Sequence, residues 1–323
     1  MNTHLLVCRT ETGPLADRHL AFLSSHGLRR EPPVDLTVLL LDEAEQILAC
    51  GSLYRNVLKQ IAVSAQLEGE GLCAQIVSAL VEEAVRCGRT HLFLYTKPAH
   101  RALFCSLGFY PIVSSGDILM MENRRDGISG FLSSLPRFDG EAGCVVCNCD
   151  PFTLGHRKLI ETASRDGAVY VFVLSEESSF FSADVRFQLV REGVSDLANV
   201  SVMRSRDYLV SPATFPTYFI KEERQVGEAQ CALDIALFST VLAPALHIVR
   251  RYVGEEPFDA VTCQYNEQMK RLLPQHGIEL IELPRYHGIS AREVRRLLRT
   301  GEPERWKELL PEVTYEYCIR HFR

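Results

Sequence analysis

Two hydrophobic rhythms alternate along the chain. In its first part, VDLTVLLLD (34–42) and ILACGSLYR (47–55) are short, nearly continuous apolar runs that predict a pair of strands. AQIVSALVEEAVRCG (74–88) spaces its apolar residues as an amphipathic helix does, and HLFLYTK (91–97) predicts another strand. The polar, turn-rich stretch ENRRDGISGFLSSLPRFDGEAG then interrupts the pattern, which places a linker at 123–141 between a domain over 1–122 and another over 142–323. Beyond the linker, CVVCNC, AVYVFVLS, NVSVMRS, DAVTCQY and ELIELPR read as strands. They alternate with the helices GHRKLIETASRD, DVRFQLVREGVSDL, EAQCALDIALFSTVLAPAL and SAREVRRLLRTG, the order expected of a parallel, doubly wound sheet.

Composition narrows the classes. With 323 residues, 46% of them apolar, the chain can bury two cores. The net charge of -6 with scattered Lys and Arg gives no footprint for a phosphate backbone, so no nucleic-acid partner is expected. The start MNTHLLVCRTETG lacks a basic and long apolar leader, and no stretch approaches the roughly 20 apolar residues that span a bilayer, so the expectation is a cytoplasmic chain with no membrane partner. The 11 Cys sit mostly within apolar stretches and read as reduced thiols. Cys144, Cys147 and Cys149 form C-x-x-C-x-C, but no second Cys/His pair at ligand spacing follows. The run reads as buried strand, and no metal ligands are assigned.

In a doubly wound sheet ligands gather beyond the carboxyl ends of the strands, where the chain turns into helices. The first such turn is NCDPFTLGHRK, from Asn148 onward. Pro151 cannot continue a central strand, and Gly155 allows a close backbone approach. The helix beginning near His156 presents unpaired N–H groups and a positive dipole end, which suit an anion. Thr153 adds a hydroxyl and His156 an imidazole donor, so a phosphate chain can be held without a Walker-type lysine. The alternative is a Thr N-cap followed by a surface His. Asp150, immediately after the first strand of this half, is placed to help hold a metal, with a carboxylate bonded to local amides as the alternative, and Asp234 reads as a hydrogen bond on a helix face.

The late helix SAREVRRLLRTG carries Arg292, Arg295, Arg296 and Arg299 on one side and Val294, Leu297 and Leu298 on another, starting from Ser290 as N-cap. A basic stripe is commonly just solvated; a Ser N-cap after a Gly-containing loop favours phosphate binding by Arg295, and leaves Arg296 and Arg299 open. Gly254 and Glu255 lie on the loop after the strand-like HIVRRYV, and Tyr265 and Asn266 at the carboxyl end of DAVTCQ. Both pairs are placed for nucleotide contacts, with a plain turn and a strand cap as the alternatives.

T-L-G-H (153–156) resembles the H/T-x-G-H signature of the nucleotidylyltransferase superfamily, and Ile289-Ser290 with Val294-Arg295 resembles its late I-S-x-x-x-V-R signature. Arg292 stands where that family often has Ser or Thr. More narrowly, NCDPFTLGHRKLIE, TFPTYFIK, RYVGEEPFDAVTCQYNEQMKRLLP and GISAREVRRLL are similar to segments of the citrate lyase ligase family. The resemblance implies a HUP-type adenylating domain in which Thr153, His156 and Arg295 are catalytic and Asn148, Pro151, Phe152, Gly155, Gly254, Glu255, Tyr265, Asn266, Ile289 and Ser290 complete the ATP site. It also implies use of ATP and Mg2+, acetate as the acid, and the citrate lyase acyl carrier subunit with its CoA-derived prosthetic group as acceptor. The reaction is then an acid–thiol ligation through acetyl-adenylate, which requires no covalent enzyme nucleophile.

ACGSLY, VSAQLEGEGLCAQIVSALVEEAVRCG and ALFCSLGFYPI in the first part resemble the GNAT acyltransferase fold, which that family carries ahead of its adenylating domain. Working GNAT enzymes bind CoA pyrophosphate at an R/Q-x-x-G-x-G/A loop. Aligned on the helix, this chain offers Glu68, Gly71 and Cys73; two residues earlier, Gln66, Gly69 and Gly71 also fit. A carboxylate there repels pyrophosphate, which favours a recognition role over acetyl-CoA chemistry. Two other readings stay open: another superfamily enzyme, either a cofactor adenylyltransferase or a tRNA acetate ligase, and a GNAT acetyltransferase with a nucleotide-sensing second half.

Overall fold

The computed structural model describes residues 2–9, 13–175, 180–209, 218, 223–257, 259–301 and 303–322. Of the segment TFPTYFIK, only Tyr218 lies among them.

The chain forms two compact units, one of residues 1–129 with 214–233 and the other of 130–213 with 234–323. The first contains β1 (Thr3–Cys8), α1 (Gly13–Ser25), β2 (Leu36–Asp42), β3 (Ile47–Tyr54), β4 (Val57–Val63), α2 (Leu72–Arg86), β5 (Phe93–Thr96), α3 (Arg101–Ser106), β6 (Tyr110–Ser115) and β7 (Ile118–Glu122). Its seven-stranded sheet has the order β1-β2-β3-β4-β5-β7-β6, antiparallel except where β4 meets β5. The unit is thus an α+β layer, a mostly antiparallel sheet with α1 and α2 packed on its two faces. Ile76, Val77, Leu80 and Ala84 of α2 pack on Leu36, Val38, Leu40 and Leu53, while Leu23 of α1 packs with Leu39, Leu41 and Cys50. Alternate residues of β2 therefore serve two cores, which accounts for a run with no polar face.

Residues 214–233 join this first unit, although the hydrophobic pattern gave them to the second half. Buried Tyr218 is the visible fastening: its C=O accepts from Arg29 N–H (2.9 Å), its N–H donates to Glu31 (2.8 Å) and its hydroxyl to the Tyr95 carbonyl (3.4 Å).

After α4 (Gly127–Ser133) come β8 (Ala142–Cys147), α5 (Leu154–Arg165), β9 (Ala168–Val173), α6 (Ala183–Gly193), β10 (Val200–Arg204), α7 (Glu223–Leu237), α8 (Ala243–Leu246), β11 (Ile248–Gly254), α9 (Ala260–Leu272), β12 (Glu279–Leu283), α10 (Ala291–Thr300), α11 (Pro303–Trp306) and α12 (Glu312–His321). The second sheet is parallel throughout, in the order β10-β9-β8-β11-β12. Succession reverses between β8 and β11, which opens a crevice at their carboxyl ends.

One sequence expectation is corrected here: DAVTCQY is not a strand. Asp259 caps α9 by accepting from Thr262 N–H (2.8 Å), and Asn266, Met269 and Leu273 form the buried face at helical spacing. The fourth strand is HIVRRYV. Its Arg251 is buried with the guanidinium 4.4 Å above the Phe238 ring.

A π-helical turn, Phe238–Leu242, joins α7 to α8. The resulting helical run Gly227–Leu246 is 20 residues long and apolar enough to cross a bilayer, contrary to the expectation that no stretch approached that length. It is 56% buried inside the protein, as a core helix is.

Candidate active site

At the switch between β8 and β11 lies a cavity of about 850 Å3. The floor is formed by Val146, Cys147 and Asn148 from the end of β8 and by Arg251 and Val253 of β11. Two helix beginnings close on it. Thr153 is the N-cap of α5, and Ser290 is the N-cap of α10, where its side chain accepts from Glu293 N–H (3.1 Å). The two turns touch: a Cβ placed on Gly155 would stand 3.7 Å from the Ile289 carbonyl oxygen and 3.5 Å from Thr153 Oγ1. The protein tolerates such contacts, so what the glycine keeps clear is room on the cavity side. Gly155→Ala should therefore hold or slightly raise the melting temperature while weakening nucleotide binding by about tenfold; parallel thermal melts and nucleotide titration check both signs.

His156 sits in a capping box. Its N–H donates to Thr153 Oγ1 (3.4 Å), and Thr153 returns a backbone N–H to the imidazole Nδ1 (3.2 Å), with its Oγ1 2.9 Å from the same nitrogen. These bonds assign the unprotonated nitrogen to Nδ1 and leave Nε2–H as a donor. The ring is half-buried. That burial, reinforced by the charge of Arg285, lowers its pKa to about 4. At neutral pH His156 is an uncharged donor.

Arg295, on the first turns of α10, lines the cavity and donates to the Asp150 carbonyl. Arg285, Arg292 and Lys158 add three more cations. Arg285 pairs with Glu256 (2.6 Å) and is largely buried. The sequence reading did not single it out, yet it ends ELIELPR, just past the carboxyl end of a parallel strand, where the rule that locates ligands would have found it.

Of the residues proposed for nucleotide, Asn148, Thr153, Gly155, His156, Gly254, Glu255, Tyr265, Asn266, Ile289, Ser290 and Arg295 all line this cavity. Pro151 and Phe152 do not: both are buried, and Phe152 is fully enclosed in the core beneath α5. Tyr265 and Asn266 reach the cavity from α9 rather than from a strand end. The Asn266 amide donates to the Gly254 carbonyl and to Glu282 (3.1 Å each), clamping the ends of β11 and β12. The Tyr265 hydroxyl donates to Asp234, which places that carboxylate in a contact between α7 and α9 rather than along one helix face. Arg296 turns away to Glu293 (2.7 Å), and Arg299 lies 5.5 Å from the Phe180 ring. The Cys149 thiol donates to Cys147 sulfur (3.0 Å), both buried.

Residues 142–318 match the family described as the citrate lyase ligase C-terminal domain, more than half of the chain. The chain belongs to the citrate lyase ligase family. A citrate (pro-3S)-lyase ligase of Klebsiella pneumoniae is 37% identical over 312 residues, 93% of this chain and 91% of that one. A phosphopantetheine adenylyltransferase of Streptococcus gordonii is 32% identical over 113 residues, 33% of this chain and 69% of that one. Among solved structures, an acyl-CoA N-acyltransferase from Pseudomonas aeruginosa is 14% identical, with a TM-score of 0.34, and covers 38% of this chain and all of that one. Both lengths of the Klebsiella alignment are nearly complete, so this member of the family carries the front unit as well as the unit that holds the cavity.

Proposed function

We propose that the chain activates acetate with ATP as acetyl-adenylate and pyrophosphate. It then passes the acetyl group to the thiol of the CoA-derived prosthetic group on the citrate lyase acyl carrier subunit, releasing AMP. The observation that carries this reading is the convergence of two helix N-termini and a neutral His donor on one cavity ringed by Arg and Lys.

The first step brings a carboxylate oxygen against the α-phosphorus, two anions that repel each other. Arg285, Arg292, Arg295 and Lys158 lower that repulsion. The Gly155 amide at the start of α5 and the Ala291 and Arg292 amides at the start of α10, with the Ser290 hydroxyl, bind phosphate oxygens through directional bonds; the Leu154 and His156 amides are spent on the Leu309 carbonyl and Thr153 Oγ1. Charge grows on the oxygens around phosphorus and on the departing pyrophosphate. His156 Nε2–H meets it with a fixed donor that needs no reorientation, because Thr153 holds the opposite nitrogen. His156 is thereby a donor and not a base, and the attacking carboxylate needs none. In the second step the carrier thiol attacks the acetyl carbonyl carbon and AMP leaves.

Among the described residues no group of three or more His, Cys, Asp or Glu gathers as a metal cage. Near the phosphate end Glu256 is bound to Arg285 and Asp259 caps α9, which leaves Glu255 on the rim. This donor set fits a Mg2+ carried in on the phosphates, with Glu255 as its protein ligand. When bound, such an ion would supply charge that shields the triphosphate from the incoming carboxylate.

Exchange of labelled pyrophosphate into ATP tests the first step: it should require acetate. Incubation with ATP, Mg2+, acetate and deacetylated citrate lyase should then add one acetyl mass to the carrier subunit. Exchange that ignores acetate, or consumption of acetyl-CoA in its place, would overturn the reading.

A further inference from the structure

Asp150 is buried, does not line the cavity, and has no part in the steps above. Its carboxylate accepts the N–H groups of Phe180 (3.0 Å) and Phe181 (2.8 Å), and stands 3.6 Å from one terminal nitrogen of Arg295. The same nitrogen donates to the Asp150 carbonyl. Residue 150 thus holds one terminal nitrogen of the guanidinium in two ways, by a hydrogen bond to its carbonyl and by the charge of its carboxylate in ion-pair range.

The anchor of this grip is itself held. Arg186, fully buried, donates from Nε to the Phe181 carbonyl (3.1 Å), and from a terminal nitrogen to the carbonyls of Asn148 (2.8 Å) and Leu174 (2.9 Å) and to the Asn148 side chain. It ties the tip of β8, the tip of β9 and the segment whose amides orient Asp150. A chain of charge-assisted bonds therefore runs from the core to Arg295, whose other edge is left toward the cavity it lines. An arginine side chain loses much rotamer freedom when it binds, so fixing it beforehand raises both affinity and the accuracy with which charge is placed.

We propose that Asp150 is the positioning residue for Arg295, setting the guanidinium for the phosphate chain before nucleotide arrives. The proposal rests on the reading of this cavity as the ATP site. If Asp150 served only the Phe180–Phe181 loop, its effects and those of Arg295 would be independent.

The test is a double-mutant cycle on the full chain with D150N, R295A and the pair, read by kcat and KM in pyrophosphate exchange and by calorimetric titration with MgATP. Each single variant should lower kcat/KM for ATP about 30-fold, the loss of one charge-assisted contact. The double should match R295A alone within about threefold, because removing Arg295 leaves Asp150 nothing to position. Multiplying effects would overturn the proposal.

R295A supplies a second measurement that does not depend on D150N folding. Millimolar guanidinium, seated in the slot that residue 150 keeps, should restore about tenfold of the lost rate at constant ionic strength. Recovery no greater than with potassium would count against the slot. If the wild-type protein neither binds MgATP nor exchanges pyrophosphate, both the cavity reading and this proposal fall; if it does both and the cycle is multiplicative, only the proposal falls.

Discussion

His156→Ala lowers acetate-dependent pyrophosphate exchange by about a hundredfold or more, with KM for ATP changed far less. The magnitude is that of one preorganised donor lost from developing charge, about 3 kcal/mol of barrier. The split between kcat and KM follows from the geometry: the helix N-termini and Arg295 still hold the ground-state phosphates, while the donor kept in place by Thr153 acts on charge that grows only during the reaction. A loss below threefold would remove this turn from catalysis.

The same residue gives a pH signature. In the fold His156 titrates near pH 4, against about 6.5 for an ordinary imidazole, because burial and then the Arg285 charge disfavour its protonated form. The unfolded chain therefore takes up a proton that the folded chain refuses. The stabilisation from a neutral His156 is fully present above about pH 6.5 and is lost as pH falls toward 4, by up to ~3 kcal/mol in all. Urea unfolding at pH 7.5 and pH 5 should show the wild type losing more stability than His156→Ala. Activity should show no acid limb from this residue between pH 8 and 6.

Much of the site was legible because its two signatures are local. A Thr and a His three positions apart make a capping box wherever a helix starts, and a Ser before an amphipathic Arg helix makes another cap. The fold then has only to bring two helix N-termini to one crevice, which the parallel strand order ensures. What failed was long-range or two-valued. DAVTCQY alternates like a strand, but its capping Asp259 and the buried Asn266, Met269 and Leu273 make it helical, and Val261, which strand pairing would have hidden, is 61% exposed. HIVRRYV, strand-like in the sequence, does become the internal strand β11, with its charges met by contacts distant in sequence: Arg251 lies over the Phe238 ring and Arg250 donates to the Asp166 carbonyl (2.9 Å). The return of residues 214–233 to the first unit leaves no periodic trace, because the bonds of Tyr218 join it to residues far away in sequence. A cut near residue 140, the natural choice from the hydrophobic pattern, would separate that segment from the unit to which it belongs.

Phe152→Ala should cost about 3–5 kcal/mol of stability and leave the affinity of the folded protein for ATP within about threefold of wild type. The expectation reverses what its place in NCDPFTLGH suggests, and the reason is packing. Phe152 has no exposed surface and lies in one cluster with Leu189, Val190 and Trp306. Gly193 is the other half of the fit: a Cβ there would come within 2.5 Å of Phe152 Cε1 and 3.2 Å of Val313, so α6 approaches the ring closely because it lacks a side chain at that point. Truncating the ring opens a void bounded by backbone that cannot collapse into it, which puts the cost in the upper range for a buried aromatic. The His156 ring lies 6.3 Å from the Phe152 ring, nearly parallel to it, so some loosening of the donor is expected. Phe152→Leu, which keeps most of the volume, separates the effects: it should recover most of the stability and all of kcat. Calorimetric melting of the second unit should show a drop of roughly 10 °C for the alanine variant. An unchanged melt with tenfold weaker ATP binding would instead make Phe152 the nucleotide contact that its neighbours in the sequence imply.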